Sequence, residues 1–402
     1  MSDYDAIIVG ARVAGSPTAM LLARKGYRVL LVDRATFPSD TISSHLIHAP
    51  GMAALERWGL AQAVIASGCP PVTGYRLDLG PFAIAGPPRG VPGAAIAYAP
   101  RRTVLDTILV EGAAAVGVEV RQGFTVESLV VDDGRVRGIR GRLGRGASTV
   151  DRARVVVGAD GVHSLVARAV GAERYRAVPA LEALYLAYWE NLPTDGEFQL
   201  YSRGQRGFGA IPTNDGLTVM IVTWPADEFD SNRRELLGNY LRAFEADPEL
   251  SARLAGARRV TDPVGMLMAN FYRQSFGPGW ALVGDAGYHK DAVTAQGITD
   301  AFRDAEALAT AIDDVFSGRH TEQVALAAHQ AARDAATSAM FDLTCQLASP
   351  EPPDSEIAGL FELISADPTA SSEFVSVLAG SMSVEAFFDP DHLAQYATPS
   401  VA

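Results

Sequence analysis

The sequence predicts an α/β fold with more than one domain, and three observations carry this prediction. Near the N-terminus, short apolar runs that end in Gly or Asp alternate with amphipathic segments, which favours a parallel sheet covered by helices. Residues 172–274 instead contain alternating segments typical of an antiparallel sheet, and the pattern after Gln323 is mainly helical. With 402 residues and 48% hydrophobic content, the chain can bury the cores of two or more domains.

The N-terminal segment has the pattern of a strand, a turn, a helix and a second strand. Residues 6–9 form the first apolar strand, the helix continues to about Lys25, and the second strand ends at Asp33. Gly10 permits a tight turn, Gly15 permits close contact of helix and strand, and Asp33 can accept hydrogen bonds from a ribose. We therefore predict a Rossmann-like dinucleotide-binding unit, with a generic βαβ unit as the alternative.

The turn of this unit departs from the G-x-G-x-x-G pattern at one position. Arg12 stands where the second glycine normally lets the backbone approach the phosphates. Its side chain must therefore point away from the phosphates or contribute positive charge to the cofactor. Val13 and Ala14, in the same turn, are expected to contact the cofactor.

The segment that follows Asp33 is a polar loop at the carboxyl edge of the predicted sheet. Ligands of such sheets bind at this edge, so Arg34 and Ser44 are expected to contact the cofactor. His45 is a candidate catalytic residue for the same reason, and a plain surface loop is the alternative. His48, three residues further on, is a weaker candidate.

Two further segments continue the pattern of the first domain. Arg101 and Arg102 open a helix, where two positive charges oppose the helix dipole and require an anion nearby. Later, a buried strand ends at Asp160 and Gly161, which on its own favours a simple strand end followed by a turn. Val126, in a strand-like segment between them, is also expected near the cofactor.

The stretch around Asp285 organises the rest of the chain. An apolar run over residues 280–283 predicts a buried strand, and the pair Gly284 and Asp285 ends it. A loop of small residues follows, and a helix begins around Gly297. The carboxylate can bind a polyol chain, while the helix N-terminus can offer backbone N–H groups to an electron-rich ring.

Residues 172–274 contain many aromatic side chains on the predicted antiparallel sheet. A sheet with this many rings is a plausible wall for an apolar or aromatic substrate, although ordinary core packing is the alternative. The candidate substrate-binding residues are Trp189, Phe208, Trp224 and Phe271.

Composition excludes several classes of function. A net charge of −13 and an isoelectric point near 5.0 argue against a nucleic-acid-binding protein. Two cysteines are too few for a disulfide framework and suit a reducing cytosol. The acidic N-terminus is unlike a signal peptide, and no apolar run reaches the length of a membrane span. A soluble, cytoplasmic protein without a metal site is expected.

In chain order, the motifs at Gly10, Asp160 and Gly284-Asp285 resemble those of the flavoprotein monooxygenases of the p-hydroxybenzoate hydroxylase type. The chain is also similar in pattern to the geranylgeranyl reductases and flavin-dependent halogenases of that superfamily. The match covers residues 5 to about 315 and includes Gln296-Gly297 after the late motif. The resemblance implies bound FAD, with Asp33 at its adenosine end, Asp285 on its ribityl chain and Arg102 near the cofactor.

The resemblance and the sequence pattern together define the expected domains and cofactor contacts. The FAD-binding domain should comprise residues 1–70, 100–171 and 275–320, and the substrate domain residues 71–99 and 172–274. Residues 321–402 should form a helical region. The expected FAD contacts are Gly10, Arg12, Val13, Ala14, Gly15, Asp33, Arg34, Ser44, Arg102, Val126, Asp160, Gly161, Gly284, Asp285, Ala295, Gln296, Gly297 and Ile298.

The mechanism that this resemblance implies is oxygen transfer to a small apolar or aromatic molecule through a flavin C4a-hydroperoxide. NADH or NADPH, or a separate flavin reductase, would supply the electrons, and molecular oxygen would be the co-substrate. His45, Tyr288, His289 and Lys290 are the candidate catalytic residues near the isoalloxazine. A homodimer formed through the C-terminal helices is a further expectation.

Departures from the family pattern keep other reactions open. Tyr288, Ala292, Ala295 and Thr299 replace the His, Pro, Gly and Asn that often line the flavin ring in the family. The Trp-x-Trp-x-Ile-Pro signature of halogenases is missing, so only Lys290 would remain for haloamine chemistry. The alternatives are a reductase of a C=C bond, a halogenase, and a flavoprotein that only binds its ligand.

Overall fold

The computed structural model describes residues 3–397. It leaves out Met1 and Ser2 of the expected FAD-binding domain and residues 398–402 of the expected helical region. Its strands are β1 Tyr4–Val9, β2 Val29–Asp33, β3 Pro71–Val72, β4 Gly74–Asp78, β5 Ala83–Gly86, β6 Ala97–Tyr98, β7 Glu119–Gln122, β8 Phe124–Asp132, β9 Arg135–Leu143, β10 Thr149–Gly158, β11 Arg174–Val178, β12 Glu182–Glu190, β13 Glu197–Arg203, β14 Arg206–Pro212, β15 Leu217–Pro225, β16 Arg258–Arg259, β17 Val264–Leu267, β18 Asn270–Arg273, β19 Phe276–Gly277, β20 Trp280–Leu282 and β21 Tyr288–His289.

Helices connect these strands and form most of the C-terminal part of the chain. They are α1 Gly15–Arg24, α2 Ala49–Trp58, α3 Ala61–Ala66, α4 Arg102–Ala115, α5 Leu165–Ala169, α6 Phe229–Asn232, α7 Leu236–Ala243, α8 Pro248–Ala255, α9 Gly297–Phe316, α10 Glu322–Leu347, α11 Ser355–Ala366, α12 Pro368–Leu378, α13 Val384–Phe387 and α14 Pro390–Ala397.

The first large sheet confirms the predicted α/β class. Its central strands run in the order β20, β10, β1, β2 and β7, and each neighbouring pair is parallel. Both faces are buried: α1, α2, α4 and α9 contribute to one core, while α5 and the β8–β9 hairpin contribute to the other. This double coverage explains why the strands are continuous apolar runs rather than alternating ones.

The second large sheet is mostly antiparallel, as the alternating segments predicted. Its order is β16, β12, β15, β14, β13, β4 and β5, with β17 also paired to β12 and with β4 parallel to β13. The predicted helical insertion is present as the short helices α6, α7 and α8.

The two faces of this second sheet pack against different parts of the chain. Leu184, Leu186 and Tyr188 of β12 face the C-terminal helices α11 to α13. Tyr185 and Trp189, one residue out of phase, belong to the core shared with α7 and α8. Because successive side chains of a strand alternate between faces, this register decides which aromatic rings can reach the first sheet.

Helix α10 and the loop over residues 290–296 lie between the two large sheets. Thr294 on this loop contacts Thr344 of α10 at 3.0 Å, and the Gln296 amide donates to the Leu378 carbonyl at 2.6 Å. These contacts join the loop to α10 and to the end of α12, so segments that are far apart in the sequence together enclose one compartment. The division into FAD-binding, substrate and C-terminal regions, with the limits given above, stays a prediction. Within residues 3–397, no helix is both long enough and apolar enough to span a bilayer.

Candidate active site

The carboxyl ends of the parallel strands bring the three predicted motifs to one edge of the first sheet. The Gly10 amide donates to the Val32 carbonyl at 2.8 Å, and the Ala159 amide donates to the Val9 carbonyl at 2.8 Å. The strand pairing thus extends just beyond the strand ends, and Gly284 follows β20 at the same edge. Ligands of open α/β sheets bind at such an edge.

Two glycines of the N-terminal turn are required by sterics. Gly10 has φ +104°, and a Cβ placed on it would lie 2.4 Å from the Ala159 carbonyl oxygen. A Cβ on Gly15 would lie 1.8 Å from the Gly10 carbonyl oxygen. Helix α1 can therefore approach the strand ends only without side chains at these positions, as predicted for a dinucleotide-binding turn.

Two helix N-termini face this edge without side-chain caps. Neither Ala14, which precedes α1, nor Gln296, which precedes α9, makes a side-chain capping hydrogen bond. A Cβ on Gly297 would have no atom within 4 Å, so open space lies in front of α9. Free N–H groups and the helix dipole favour negative charge there. These residues fit FAD.

Asp33 and Asp285, the two carboxylates assigned to the ends of FAD, differ in their surroundings. Asp33 accepts hydrogen bonds from the amides of Ala11 and Ala35, both at 2.7 Å, which fixes its side chain at the end of β2. Asp285 is exposed on the cavity wall. Both lie where a cofactor that follows the sheet edge would pass.

Arg12 and Arg102 converge on one buried carboxylate. The Arg12 guanidinium contacts Asp106, and it also donates to the Ser39 carbonyl at 3.2 Å. Arg102 donates to Asp106 through Nε at 3.0 Å and Nη2 at 2.9 Å, and it lines the cavity described below. Arg12 is therefore directed toward the loop after β2. Asp106 supplies the counter-charge that Arg102 at the start of α4 requires, whereas Arg101 pairs with Asp40 and Asp215.

Asp160 is engaged by the chain itself. Its Oδ2 accepts from the Leu165 amide at 2.7 Å, and its Oδ1 accepts from the Ser164 hydroxyl. These bonds secure the start of α5. Gly161 has φ +76° and open space around its Cα, whereas Val126 packs in the core behind the sheet and Arg34 is exposed.

A cavity of about 330 Å³ extends from this sheet edge toward the second sheet. It brings together residues from the loop after β20, from β17 of the second sheet, from β21 and from α9 and α10. On the cofactor side its wall contains Val13, Ser44, Arg102, Gly284, Asp285, Ala295, Gly297 and Ile298. Its remaining wall is rich in apolar residues, among them Ile42, Met266, Met268, Ala292, Ala332 and Ala336.

Three of the four candidate catalytic residues line this cavity: Tyr288, His289 and Lys290. All three are buried. Lys290 forms an ion pair with Asp300, which also binds Arg303 at 2.6 Å. His289 must donate from Nδ1 to the Ala269 carbonyl, because a carbonyl oxygen only accepts, so its Nε2 is the acceptor in the neutral ring.

His45 is fully buried behind the cavity and does not line it. Its Nε2 lies 2.7 Å from the Tyr188 hydroxyl, and its backbone φ of +65° is rare for a residue with a side chain. Burial, assisted by the positive charges of Arg102 and Arg101, lowers the pKa of His45 to about 3. The ring is neutral at neutral pH and acts as a hydrogen-bonding group.

His48 is a second buried, neutral imidazole. Nε2 donates to the Thr294 carbonyl at 3.1 Å, so Nδ1 accepts from the Tyr75 hydroxyl at 2.7 Å. Burial lowers the pKa of His48 to about 4. This histidine ties the loop over residues 290–296 to the second sheet.

The structure does not bring the predicted aromatic wall to the cavity. Trp189, Phe208 and Trp224 lie on the far face of the second sheet, in the core shared with α7 and α8. Phe271 is buried and stacks on His289 with ring centroids 5.9 Å apart, so it backs the cavity through that ring. Trp189, Phe208 and Trp224 therefore pack in an ordinary core, which is the alternative given in the sequence analysis.

Sequence reasoning missed the residues that form the apolar and acidic part of the cavity. Met266 and Met268 come from the end of β17 and the residue after it, and Asp291 follows the predicted Lys290. The only sequence signal for the methionines is their spacing of two in a segment that pairs with β12. Nothing in the sequence marks Asp291 apart from its neighbours.

The comparisons with known proteins agree with this geometry. Residues 3–342 match the family model described as an FAD binding domain. The chain belongs to this FAD-binding family. The resemblance to geranylgeranyl reductases, flavin-dependent halogenases and monooxygenases is thereby confirmed at the level of the superfamily, and the protein is an FAD-dependent oxidoreductase.

Three related proteins span different reactions. The digeranylgeranylglycerophospholipid reductase of Methanocella arvoryzae is 28% identical over 312 residues, which are 75% of each chain. The structure of the flavin-dependent brominase Bmp2 superposes with a TM-score of 0.81 at 22% identity and covers 98% of this chain and 97% of that one. The structure of PqsL, a probable FAD-dependent monooxygenase from Pseudomonas aeruginosa, gives a TM-score of 0.75 at 23% identity, covering 89% and 99%. These two superpositions show that the chain has the same fold as Bmp2 and PqsL.

Proposed function

We propose that the protein is an FAD-dependent monooxygenase that transfers one oxygen atom to a small apolar or aromatic molecule, with NADH or NADPH as electron donor. The observation that carries the proposal is the cavity. It begins at the residues assigned to FAD, such as Gly297, and ends among Met266 and Met268 of the second sheet. A substrate held there would lie against the open side of the α9 N-terminus. FAD, when bound, supplies the redox chemistry and the activation of oxygen.

In this proposal the cofactor is held mainly by backbone groups. The N-termini of α1 and α9 would face the negatively charged parts of FAD, Asp33 would bind the adenosine ribose, and Asp285 the ribityl chain. Arg102, which lines the cavity while paired with Asp106, would add positive charge beside the ring system. The cytoplasmic location expected from the sequence is part of the same proposal.

The apolar wall would exclude water from the reacting atoms. Methionine and alanine side chains form much of the apolar surface of the cavity away from the cofactor edge, beside charged side chains such as Lys290 and Asp291. Exclusion of water strengthens electrostatic interactions and prevents side reactions of oxygen-activating enzymes. Tyr288, His289 and Lys290 would orient the substrate or ring system from the β21 side, and His45 would hold Tyr188 in place from behind.

The experiment is a single turnover with isotopically labelled oxygen. The FAD-loaded protein is reduced by NADH or NADPH without air and is then mixed with labelled oxygen and a panel of small apolar aromatic compounds. We expect a transient absorbance change before oxidised FAD returns, and label in one product by mass spectrometry. A reductase would instead give no label in any product and would reduce the C=C bond of an added alkene.

A reductase of a C=C bond is the second candidate. Its support is the 28% identity to the digeranylgeranylglycerophospholipid reductase over three quarters of both chains. The apolar cavity suits an isoprenoid chain as well as an aromatic ring. Halogenase chemistry has less support, because Lys290 is already engaged by Asp300 and the halogenase signature is missing.

A further inference from the structure

Asp291 differs from the other carboxylates of the cavity wall. Four aspartates line the cavity: Asp285, Asp291, Asp300 and Asp304. Asp300 is paired with Lys290 and Arg303, whereas Asp285 is exposed to solvent. Asp304 accepts from the Gly284 amide at 2.8 Å and binds His329 at 2.9 Å. Asp291 is only 3% exposed, and within residues 3–397 its Oδ2 has no hydrogen-bond partner.

The backbone around Asp291 fixes the side chain in this position. The Asp291 amide donates to the Asn270 side-chain carbonyl at 2.6 Å, and its Oδ1 accepts from the Val293 amide at 3.0 Å. One carboxyl oxygen is thus held by the loop while the other is left without a donor. A buried oxygen without a donor carries a desolvation cost that a ligand N–H can remove.

A second buried carboxyl group lies behind Asp291. Glu182, at the start of β12, accepts from the Thr223 hydroxyl at 2.8 Å, and its Oε2 is also buried without a partner in the described part of the chain. Burial raises the pKa of Asp291 to about 7. Burial and the negative charge of Asp291 raise the pKa of Glu182 well above its ordinary value. Asp291 therefore loses its proton near neutral pH while Glu182 still holds one, and a nearby positive charge would favour the release of both protons.

The other titratable groups near Asp291 provide no free positive charge. On the same loop, Lys290 is committed to Asp300 of α9, which Arg303 also binds. On α10, Cys345 is kept as a neutral thiol because burial raises its pKa to about 11. A cation that balances the acids would therefore have to come from a bound ligand.

We propose that Asp291, with Glu182 nearby, recognises a protonated amine on an otherwise apolar substrate. The ammonium N–H groups would satisfy the free Oδ2, and the positive charge would let both acids ionise. Met266 and Met268 would contact the hydrocarbon part. This proposal rests on the proposed function, since it takes the cavity as the place where substrate binds.

The test compares two probes with the same skeleton, 2-phenylethylamine and 2-phenylethanol, by calorimetry on the oxidised, FAD-loaded protein. We expect the amine to bind at least tenfold more tightly at pH 8, and this preference to fall as the pH drops below about 7. Asp291→Asn should weaken amine binding by about tenfold to a hundredfold, the range of a lost hydrogen bond to a charged group, and leave alcohol binding unchanged. Asp262→Asn, at an exposed carboxylate, is the matched control that leaves both affinities unchanged.

A second variant keeps the proposal testable should Asp291→Asn fail to retain FAD. Glu182→Gln removes one of the two acids whose protons amine binding should release, so amine affinity should rise less steeply with pH than in the wild type while the preference for the amine at pH 8 is retained. Equal affinity for the two probes, binding of neither probe, or an unchanged pH slope in Glu182→Gln would overturn the proposal. The titrations involve no turnover, so their result does not depend on whether the protein transfers oxygen.

Discussion

The two ends of the cavity are built from different kinds of chemical group. The cofactor edge of the first sheet consists mainly of backbone: glycine turns, strand ends and the N-termini of α1 and α9. The opposite end consists of side chains, such as Met268 and Asp291, contributed by segments that are far from the N-terminal turn in sequence.

This difference separates groups that few residue types can supply from groups that a single substitution changes. A backbone site depends on φ angles and close approach, so few residues satisfy it. A side-chain wall changes with each substitution while the fold stays the same. The brominase Bmp2 and the protein PqsL have this fold, although their described activities differ. Fold alone therefore does not determine function.

The largest effect is expected from Gly15→Ala at the cofactor edge. The new Cβ would lie 1.8 Å from the Gly10 carbonyl oxygen, so α1 must move away from the strand ends. We expect a loss of about 4 kcal/mol or more in the free energy of unfolding, with loss of bound FAD. Thermal unfolding and the FAD absorbance of the purified protein measure both effects.

Gly297→Ala is the matched control for that substitution. No atom lies within 4 Å of the added Cβ, and alanine at the start of α9 raises helix propensity by up to about 1 kcal/mol. The FAD-free protein should therefore be at least as stable as the wild type, while its affinity for FAD falls because the methyl group occupies the space before the helix. A Gly297→Ala protein that binds FAD normally would contradict the placement of FAD at α9.

A smaller effect is expected on the two faces of the second sheet. Phe208 is buried on the far face and stacks on Phe244 at 5.5 Å, so Phe208→Ala should lower the free energy of unfolding by roughly 3 kcal/mol. Its Michaelis constant for an active compound should not change. Met266→Ala, at the cavity, should cost only about 1 kcal/mol because that side chain is already partly exposed, yet it should raise the Michaelis constant.

Denaturant unfolding and steady-state oxidation of NADH or NADPH distinguish these two variants. If Phe208→Ala changed the Michaelis constant as much as Met266→Ala, the far face would have to communicate with the substrate. In that case the predicted aromatic substrate wall would regain support.

The sequence predicted the parts of the protein that depend on local pattern. The turn at Gly10 and the strand that ends at Gly284 could be recognised because glycines, apolar runs and helix starts occur within short segments. The carboxyl ends of parallel strands then had to meet at one edge. The alternation of β12 predicted a sheet correctly as well.

The parts that could not be predicted depend on register and on unsatisfied groups. Tyr188 and Trp189 are neighbours in sequence, but only Tyr188 lies on the face of the second sheet that contacts the loop after β2, where it binds His45. Alternation shows that they face opposite sides, but not which side holds the cavity. Asp291 and Glu182 became visible as candidates only when the structure showed both carboxyl groups buried and lacking a partner.

A last effect, visible only on acidification, concerns acid stability and again separates the two ends of the cavity. His48 holds the loop over residues 290–296 as a neutral ring, with its pKa lowered to about 4 from an ordinary 6.5 by burial. A lowered pKa means that the folded state binds fewer protons than the unfolded state, so stability is complete above pH 6.5 and declines as the pH falls toward 4. The cost should reach about 2 kcal/mol at pH 5, and His45, with its pKa lowered to about 3, adds to it in the same window.

His48→Asn should be less stable at pH 8 but show a flatter pH dependence, whereas His320→Asn, at an exposed histidine, should retain the wild-type dependence. Denaturant titrations from pH 8 to pH 5 measure these slopes, and equal slopes in the wild type and His48→Asn would mean that this histidine does not couple the loop to acid.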